Sequence, residues 1–181
     1  SLGAFYDGGF TEAVFGYAYR PVDNDRLNTL VKYTYFYNVP TTEQVGSQNV
    51  ASQFLQKSHI AAVDVTYDIT QNFTIGGKYA YRLGQVSLDR QDPEFFDNNA
   101  NLYVIRGDYR FRENWEFLLE ARMLDMADLD ESRAGALATI SRYVGKHLKV
   151  GIGYNFTDFS DDLTDLSYDH SGAFLSVTGS L

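Results

Sequence analysis

Apolar and polar side chains alternate in about nine segments of this chain, each roughly a dozen residues long. The stretch 148–156 shows the pattern most clearly. Apolar or aromatic residues occupy every second position there: Leu148, Val150, Ile152, Tyr154 and Phe156. A period of two is that of a β-strand whose two faces meet different surroundings. The alternation therefore predicts an all-β fold in which each strand has one apolar and one polar face.

Composition limits which classes of protein remain. The 181 residues make a single domain, 1–181, and 44% hydrophobic content excludes a disordered chain. No segment approaches the roughly 20 uninterrupted apolar residues of a membrane helix. A net charge of −9 argues against a nucleic-acid partner, and the absence of cysteine excludes disulfides and thiolate metal sites.

The connections between the predicted strands alternate in length. Strands are expected at 10–20, 27–38, 58–69, 73–87, 101–111, 115–125, 134–144, 148–159 and 172–181. Short turns join some of them, at 21–26, 70–72, 112–114 and 145–147. Longer, mostly acidic loops join the others, at 39–57, 88–100, 126–133 and 160–171. This arrangement is typical of an antiparallel up-and-down transmembrane β-barrel of the bacterial outer membrane, with short periplasmic turns and long extracellular loops.

The number of strands is informative as well. Nine is odd, whereas single-chain bacterial barrels have even numbers of strands. Either residues 2–7 belong to a further strand, which would make a complete barrel of eight to ten strands, or the chain is the C-terminal portion of a larger barrel. We favour the second interpretation.

Side-chain volume decides which face of the strands points outward. A soluble, lipocalin-like barrel alternates too, but dozens of aromatic rings would overfill an interior of eight to ten strands. We therefore expect the apolar face to meet lipid. That face includes Phe15, Tyr17, Tyr33, Tyr35, Val63, Val65, Ile75, Tyr79, Tyr103, Ile105, Tyr109, Phe117 and Leu119. Strand 134–144 is ambiguous, because Leu137 and Tyr143 lie on one face and Ile140 and Arg142 on the other.

The opposite face combines small residues with charges of both signs, which suits a narrow polar lumen. The predicted lumen charge cluster comprises Lys78, Arg82, Arg106, Asp108, Arg110, Glu116, Glu120, Arg122 and Lys149. Two interpretations stay open. The charges could line a selective channel, or they could pair with one another and fill a closed barrel.

Three stretches resemble a known group of proteins: GYAYRPVDNDRLN (16–28), GGKYAYRLG (76–84) and LKVGIGYNFTDFSDDLTD (148–165). They are similar to the C-terminal barrel region of large, repeat-containing, mostly uncharacterised proteobacterial outer-membrane proteins. The resemblance implies location and architecture, with further strands and repeats upstream. It carries no catalytic residues.

Several residue groups contain side chains of the kinds that catalysis or metal binding uses. The run Asp169-His170-Ser171 contains an acid, a base and a nucleophile, but adjacent strand residues point to opposite faces, so a catalytic trio is not expected. His59 and His147 have no evident metal-binding partner. Oxygen ligands for Ca²⁺ are dense in one acidic loop, at Asp158, Asp161, Asp162, Asp165 and Asp169, but without an EF-hand spacing. No cofactor is predicted beyond divalent cations held loosely by acidic loops.

The sequence therefore predicts a non-enzymatic outer-membrane β-barrel that anchors a larger envelope protein. A passive, porin-like diffusion channel is the first alternative, and a hydrolase with a site at the barrel rim is the second. The expected partners are membrane lipid, lipopolysaccharide, the barrel-assembly machinery and upstream domains or other envelope proteins.

Overall fold

A computed structural model describes residues 11–37, 55–88, 92–112, 114–145, 148–156, 159, 163 and 171–179. These residues form ten strands and one short 3-10 turn, Ala127–Leu129. The strands are β1 (Thr11–Tyr19), β2 (Leu27–Tyr37), β3 (Leu55–Thr70), β4 (Phe73–Ser87), β5 (Phe95–Asp97), β6 (Ala100–Arg112), β7 (Trp115–Met126), β8 (Glu131–Val144), β9 (Leu148–Asn155) and β10 (Gly172–Gly179).

All strands belong to one antiparallel sheet in which the long strands follow one another in chain order. Strand β5 is the exception. It pairs with the last three residues of β4, along the same edge of β4 that pairs with β6 at residues 73–82. The predicted all-β, antiparallel, up-and-down fold is thus confirmed, and each of the nine predicted strands is present. The largest difference in bounds is in β9, which ends at Asn155 rather than at residue 159. The segment 88–100, expected to be a loop, contains β5.

The edges of the sheet lie at its first and last strands. Within the described residues, β1 pairs with β2 alone and β10 with β9 alone. The same part of the chain contains no helix long and apolar enough to cross a membrane.

One face of the sheet, called the outer face below, exposes large apolar side chains along its whole length. Phe15 is 67% exposed, Ile105 65% and Leu175 68%, although all three lie inside strands. The register places them on the face opposite to the buried and charged residues, as the alternation predicts. The large apolar side chains predicted for this face are therefore exposed.

The ambiguous strand β8 takes its orientation from its neighbours. Pairing of Leu137 with Glu120 and of Tyr143 with Lys149 puts those two β8 residues on the inner face. Arg142 then lies on the outer face, where its guanidinium sits 5.4 Å from the ring centroid of Trp115. This stacking covers a charge that would otherwise stand alone on an apolar surface.

The inner face has two halves. Towards the short turns it carries charged side chains. Towards the long loops it carries a buried apolar cluster, which the alternation does not predict. The cluster comprises Phe36, Ile60, Ala80, Ala100, Leu102, Val104, Leu124, Met126, Phe159 and Leu163.

Candidate functional site

The charged half of the inner face contains a group of side chains around Glu116. The Glu116 carboxylate accepts hydrogen bonds from the ammonium group of Lys149 and from the Tyr143 hydroxyl, the latter at 2.9 Å. The Nη2 atom of Arg110 lies 3.9 Å from Oε2 of Glu116. Because these residues come from β6, β7, β8 and β9, the group joins four strands near the short-turn end.

A second ion pair lies further towards the middle of the strands. Arg106 on β6 donates to Asp64 on β3 over 3.1 Å, crossing β4 to reach it. Gly76 on β4 allows this path, because a Cβ atom built there would lie 2.6 Å from Arg106 Nε. Lys78 is the rung partner of Asp64, which places two cations beside that one carboxylate.

The third pair is formed within one strand. Glu120 accepts a hydrogen bond from Arg122 two residues further along β7, and both side chains are almost buried. Glu120 also lies directly opposite Arg106 in the β6–β7 register. Asp108 lies on the same face, between Arg106 and Arg110 on β6. A small cavity of about 50 Å³ lies between Asp64, Lys78, Arg106 and Glu120.

Arg82 stands apart from the other members of the predicted lumen charge cluster. It lies six residues along β4 from Gly76, the rung partner of Arg106, which corresponds to about 20 Å of strand. Its side chain is 1% exposed and stacks 5.3 Å from the ring centroid of Phe36. Its Nη1 donates a 2.8 Å hydrogen bond to the carbonyl oxygen of Leu163.

That contact fixes part of the β9–β10 connection against the inner face. Phe159 is 2% exposed and Leu163 is fully buried, and both pack into the apolar cluster. Leu163 has a φ of 60°, a conformation that bulky residues rarely adopt. Its burial and its carbonyl contact with Arg82 hold the backbone there. At these two positions the acidic loop is therefore a plug and is not exposed to solvent.

Arranged in this way, most charged side chains on the described part of the inner face lie beside a side chain of opposite charge. Opposite charges meet within one strand or on neighbouring or next-neighbouring strands, which offsets the cost of removing them from water. The apolar cluster and its plug fill the half nearer the long loops. A cavity of about 180 Å³, lined by Leu30, Lys32, Thr34, Ile60, Asp64 and others, lies where the two halves meet.

Comparisons with known proteins add little to this geometry. No protein-family model matches the sequence. No curated protein matches it either. Among solved structures, the crystal structure of the Pseudomonas putida toluene transporter TodX aligns over 94% of this chain and 59% of its own, with a TM-score of 0.47 and 11% identity. The chain thus spans about three-fifths of that structure, and similarity of this size establishes neither a shared family nor a shared substrate.

The remaining candidates from the sequence fall into two groups. The calcium candidates Asp158, Asp161, Asp162, Asp165 and Asp169, together with His147 and His170, lie outside the described residues. Among the residues that the structure does describe, no three His, Cys, Asp or Glu side chains are grouped as a metal site would require. His59 lies on the outer face, where its Nδ1 shares a 2.7 Å hydrogen bond with the Tyr33 hydroxyl.

Proposed function

We propose that this chain is part of the wall of a bacterial outer-membrane β-barrel and anchors a larger envelope protein without catalysing a reaction. The long loops would face the cell exterior and the short turns the periplasm, as in other barrels of this kind. Membrane lipid and lipopolysaccharide are the immediate partners in this proposal, and the barrel-assembly machinery inserts the chain. The upstream domains that the sequence resemblance implies would be the cargo.

The outer face carries this proposal. Monomeric soluble proteins rarely expose continuous apolar patches beyond a few hundred Å². Here exposed apolar side chains run across every long strand from Phe15 on β1 to Val177 on β10. In water that surface would drive aggregation, whereas in a bilayer it is the surface a β-barrel requires.

The inner face favours an anchor over an open pore. Leu102 and Leu124 have no exposed surface, and the plug residues Phe159 and Leu163 pack against the same cluster. Ions and small solutes would have to displace these apolar side chains to pass the half nearer the long loops.

A passenger fusion tests the anchoring role. A soluble reporter with a secretion signal, joined ahead of Ser1, should fractionate with the outer membrane and resist an alkaline wash. The matched control is the same reporter without the chain, which should stay in the soluble periplasmic fraction. Recovery of the fusion in the soluble fraction would overturn the proposal.

A diffusion channel is the second candidate, because the cavities among the charged side chains leave some space on the inner face. Planar-bilayer recordings separate the two functions. An anchor gives no stable conductance steps. Stable steps whose ion selectivity changes in Arg106→Gln would establish the channel, since Arg106 lines one of these cavities.

A further inference from the structure

The cavity of about 180 Å³ on the inner face combines an aliphatic wall with basic side chains. Strands β2, β3 and β4 form it. Its lining comprises Leu30, Lys32, Thr34, Ile60, Ala62, Asp64 and Lys78. An apolar cavity of about 150 Å³ is large enough to bind benzene. This cavity therefore has room for a six-membered ring with one small substituent.

Small side chains along one rung of the sheet leave this space open. Four residues pair in sequence across β1 to β4: Gly16, Lys32, Ala62 and Ala80. No atom lies within 4 Å of the position that a Cβ atom of Gly16 would take. Leu30 lies on the next rung of the inner face and is 45% exposed. Lys32 thus has small neighbours on both sides and an uncovered aliphatic side chain nearby.

The charges beside the cavity do not balance, although the whole chain has a net charge of −9. Four cations and two carboxylates lie in this part of the inner face: Lys32, Lys78, Arg106, Arg122, Asp64 and Glu120. Arg106 donates to Asp64, and Arg122 donates to Glu120. Both carboxylates are therefore balanced before either lysine is counted. Lys32 is half-buried and forms no ion pair with any residue that the structure describes.

The other carboxylates on the inner face of these strands are too far away to correct the imbalance. Glu12, Asp68 and Asp108 each lie four residues along their strands from the rung of Lys32 or the rung of Lys78. Four residues correspond to about 13 Å of strand. The excess of positive charge is therefore local to the cavity, and an anion placed there would offset the cost of holding Lys32 away from water.

We infer that this cavity binds a compact organic carboxylate with an apolar body. The carboxylate would lie against Lys32 and Lys78, beside Thr34, which is 2% exposed and adds a hydroxyl group to the wall. The apolar body would cover Leu30 and Ile60. An inorganic anion would leave the aliphatic wall uncovered, and a neutral ligand would leave the charge of Lys32 unbalanced. This inference goes beyond the anchoring role and does not depend on it.

Isothermal titration calorimetry of the full chain in detergent micelles tests the inference, with cyclohexanecarboxylate as the probe. We expect saturable binding of one ligand per chain. The neutral isostere cyclohexanecarboxamide should bind about tenfold more weakly or worse, because it lacks the charge that the lysines would contact. Acetate should also bind at least about tenfold more weakly, because it lacks the apolar body.

Two variants separate the contribution of charge from that of shape. Lys32→Gln should lower the affinity for cyclohexanecarboxylate about tenfold, as for loss of one hydrogen bond to a charged group, and should leave the affinity for the amide unchanged. Ala62→Val keeps every charge but narrows the cavity, so it should weaken the binding of both ligands. The matched control is Lys57→Gln, which removes a lysine from the outer face of β3, where Nζ lies 4.5 Å from the centroid of the Phe95 ring. The control should bind as the wild type does.

Absence of saturable binding by the wild type would overturn the inference, as would equal affinities for the acid and its amide or for the acid and acetate. Wild-type affinity in Lys32→Gln, or an equal loss in Lys57→Gln, would also overturn it. Full displacement by equimolar inorganic phosphate would indicate a general anion site and would contradict the proposed ligand class. The passenger fusion keeps the two proposals apart. A fusion held in the outer membrane by a chain that does not bind the acid disproves only the ligand site, whereas a soluble fusion that binds it disproves only the anchoring role.

Discussion

At the scale of single residues, an ion pair on the inner face depends on a glycine that leaves room for a neighbouring side chain. Gly76 lies under the side chain of Arg106, which crosses β4 to reach Asp64. Gly16 on β1 faces the same side of the sheet, but no atom lies within 4 Å of the position its Cβ would take. Two glycines in similar strands therefore have different reasons to be there, and only one of them is required by a contact.

Gly76→Ala should lower the free energy of unfolding by about 1–3 kcal/mol, since the added methyl group displaces Arg106 and weakens its ion pair. Gly16→Ala should change stability little or raise it by up to about 1 kcal/mol, because alanine restricts the unfolded chain. Urea unfolding of both variants in the same lipid vesicles measures the difference. Equal effects of the two substitutions would contradict the proposed role of Gly76.

At the scale of elements, the β9–β10 connection is tied to the sheet by Phe159, by Leu163 and by the hydrogen bond from Arg82. Leu163→Ala should destabilise the fold by about 2–5 kcal/mol, the range for a buried leucine that leaves a cavity. Leu129, 61% exposed in the 3-10 turn, provides the control. Leu129→Ala should stay within about 0.5 kcal/mol of the wild type.

Urea midpoints compare these two variants, and bilayer recordings add a functional measurement. If the plug closes the inner face, Leu163→Ala should allow transient conductance that Leu129→Ala does not. A stable Leu163→Ala variant with wild-type midpoint would show that the connection contributes nothing to the closed interior.

A comparison of the strands with the β9–β10 connection shows which parts of the fold can be predicted from the sequence. Strands such as β4 were predicted with their observed bounds, because a period of two is a local property of the chain. Strand β8 was ambiguous, because alanine, glycine, serine and threonine occupy both of its faces and only its neighbours set the orientation. The sequence places Phe159 at the end of the predicted strand 148–159 and Leu163 in the acidic loop 160–171, and neither position indicates burial in the cluster, because that burial depends on distant strands.

The members of the predicted lumen charge cluster lie in different halves of the inner face. The sequence does not predict this either, because it too depends on pairing between distant strands. Alternation assigns the members of this cluster to one face of their strands, but it gives no height along the strand relative to other strands. The register puts Glu116 near Lys149, although they are distant in sequence, and moves Arg82 into the apolar half. The face on which a side chain lies can therefore be predicted from its own strand. Its neighbours on that face can be predicted only when the register of the whole sheet is known.

At the scale of the whole molecule, the proposal that a bilayer surrounds the outer face can be tested with a single substitution. Ile105 lies near the middle of β6 on the outer face and is 65% exposed. In water, replacing an exposed isoleucine with arginine would cost little. At the midplane of a membrane, arginine on the lipid face of a β-barrel costs about 2–4 kcal/mol.

Ile105→Arg should therefore lower the fraction of chain that inserts into vesicles and lower its unfolding midpoint there. Val22→Arg is the control, since Val22 is 99% exposed in the turn between β1 and β2 and should lie outside the apolar band. Insertion can be followed by heat-modifiable migration on gels, which folded membrane barrels show. A soluble barrel, by contrast, would stay folded without detergent. If Ile105→Arg folds as well as Val22→Arg and stays soluble without detergent, the apolar outer face does not meet lipid, and a soluble barrel that shields this face in another way becomes the better interpretation.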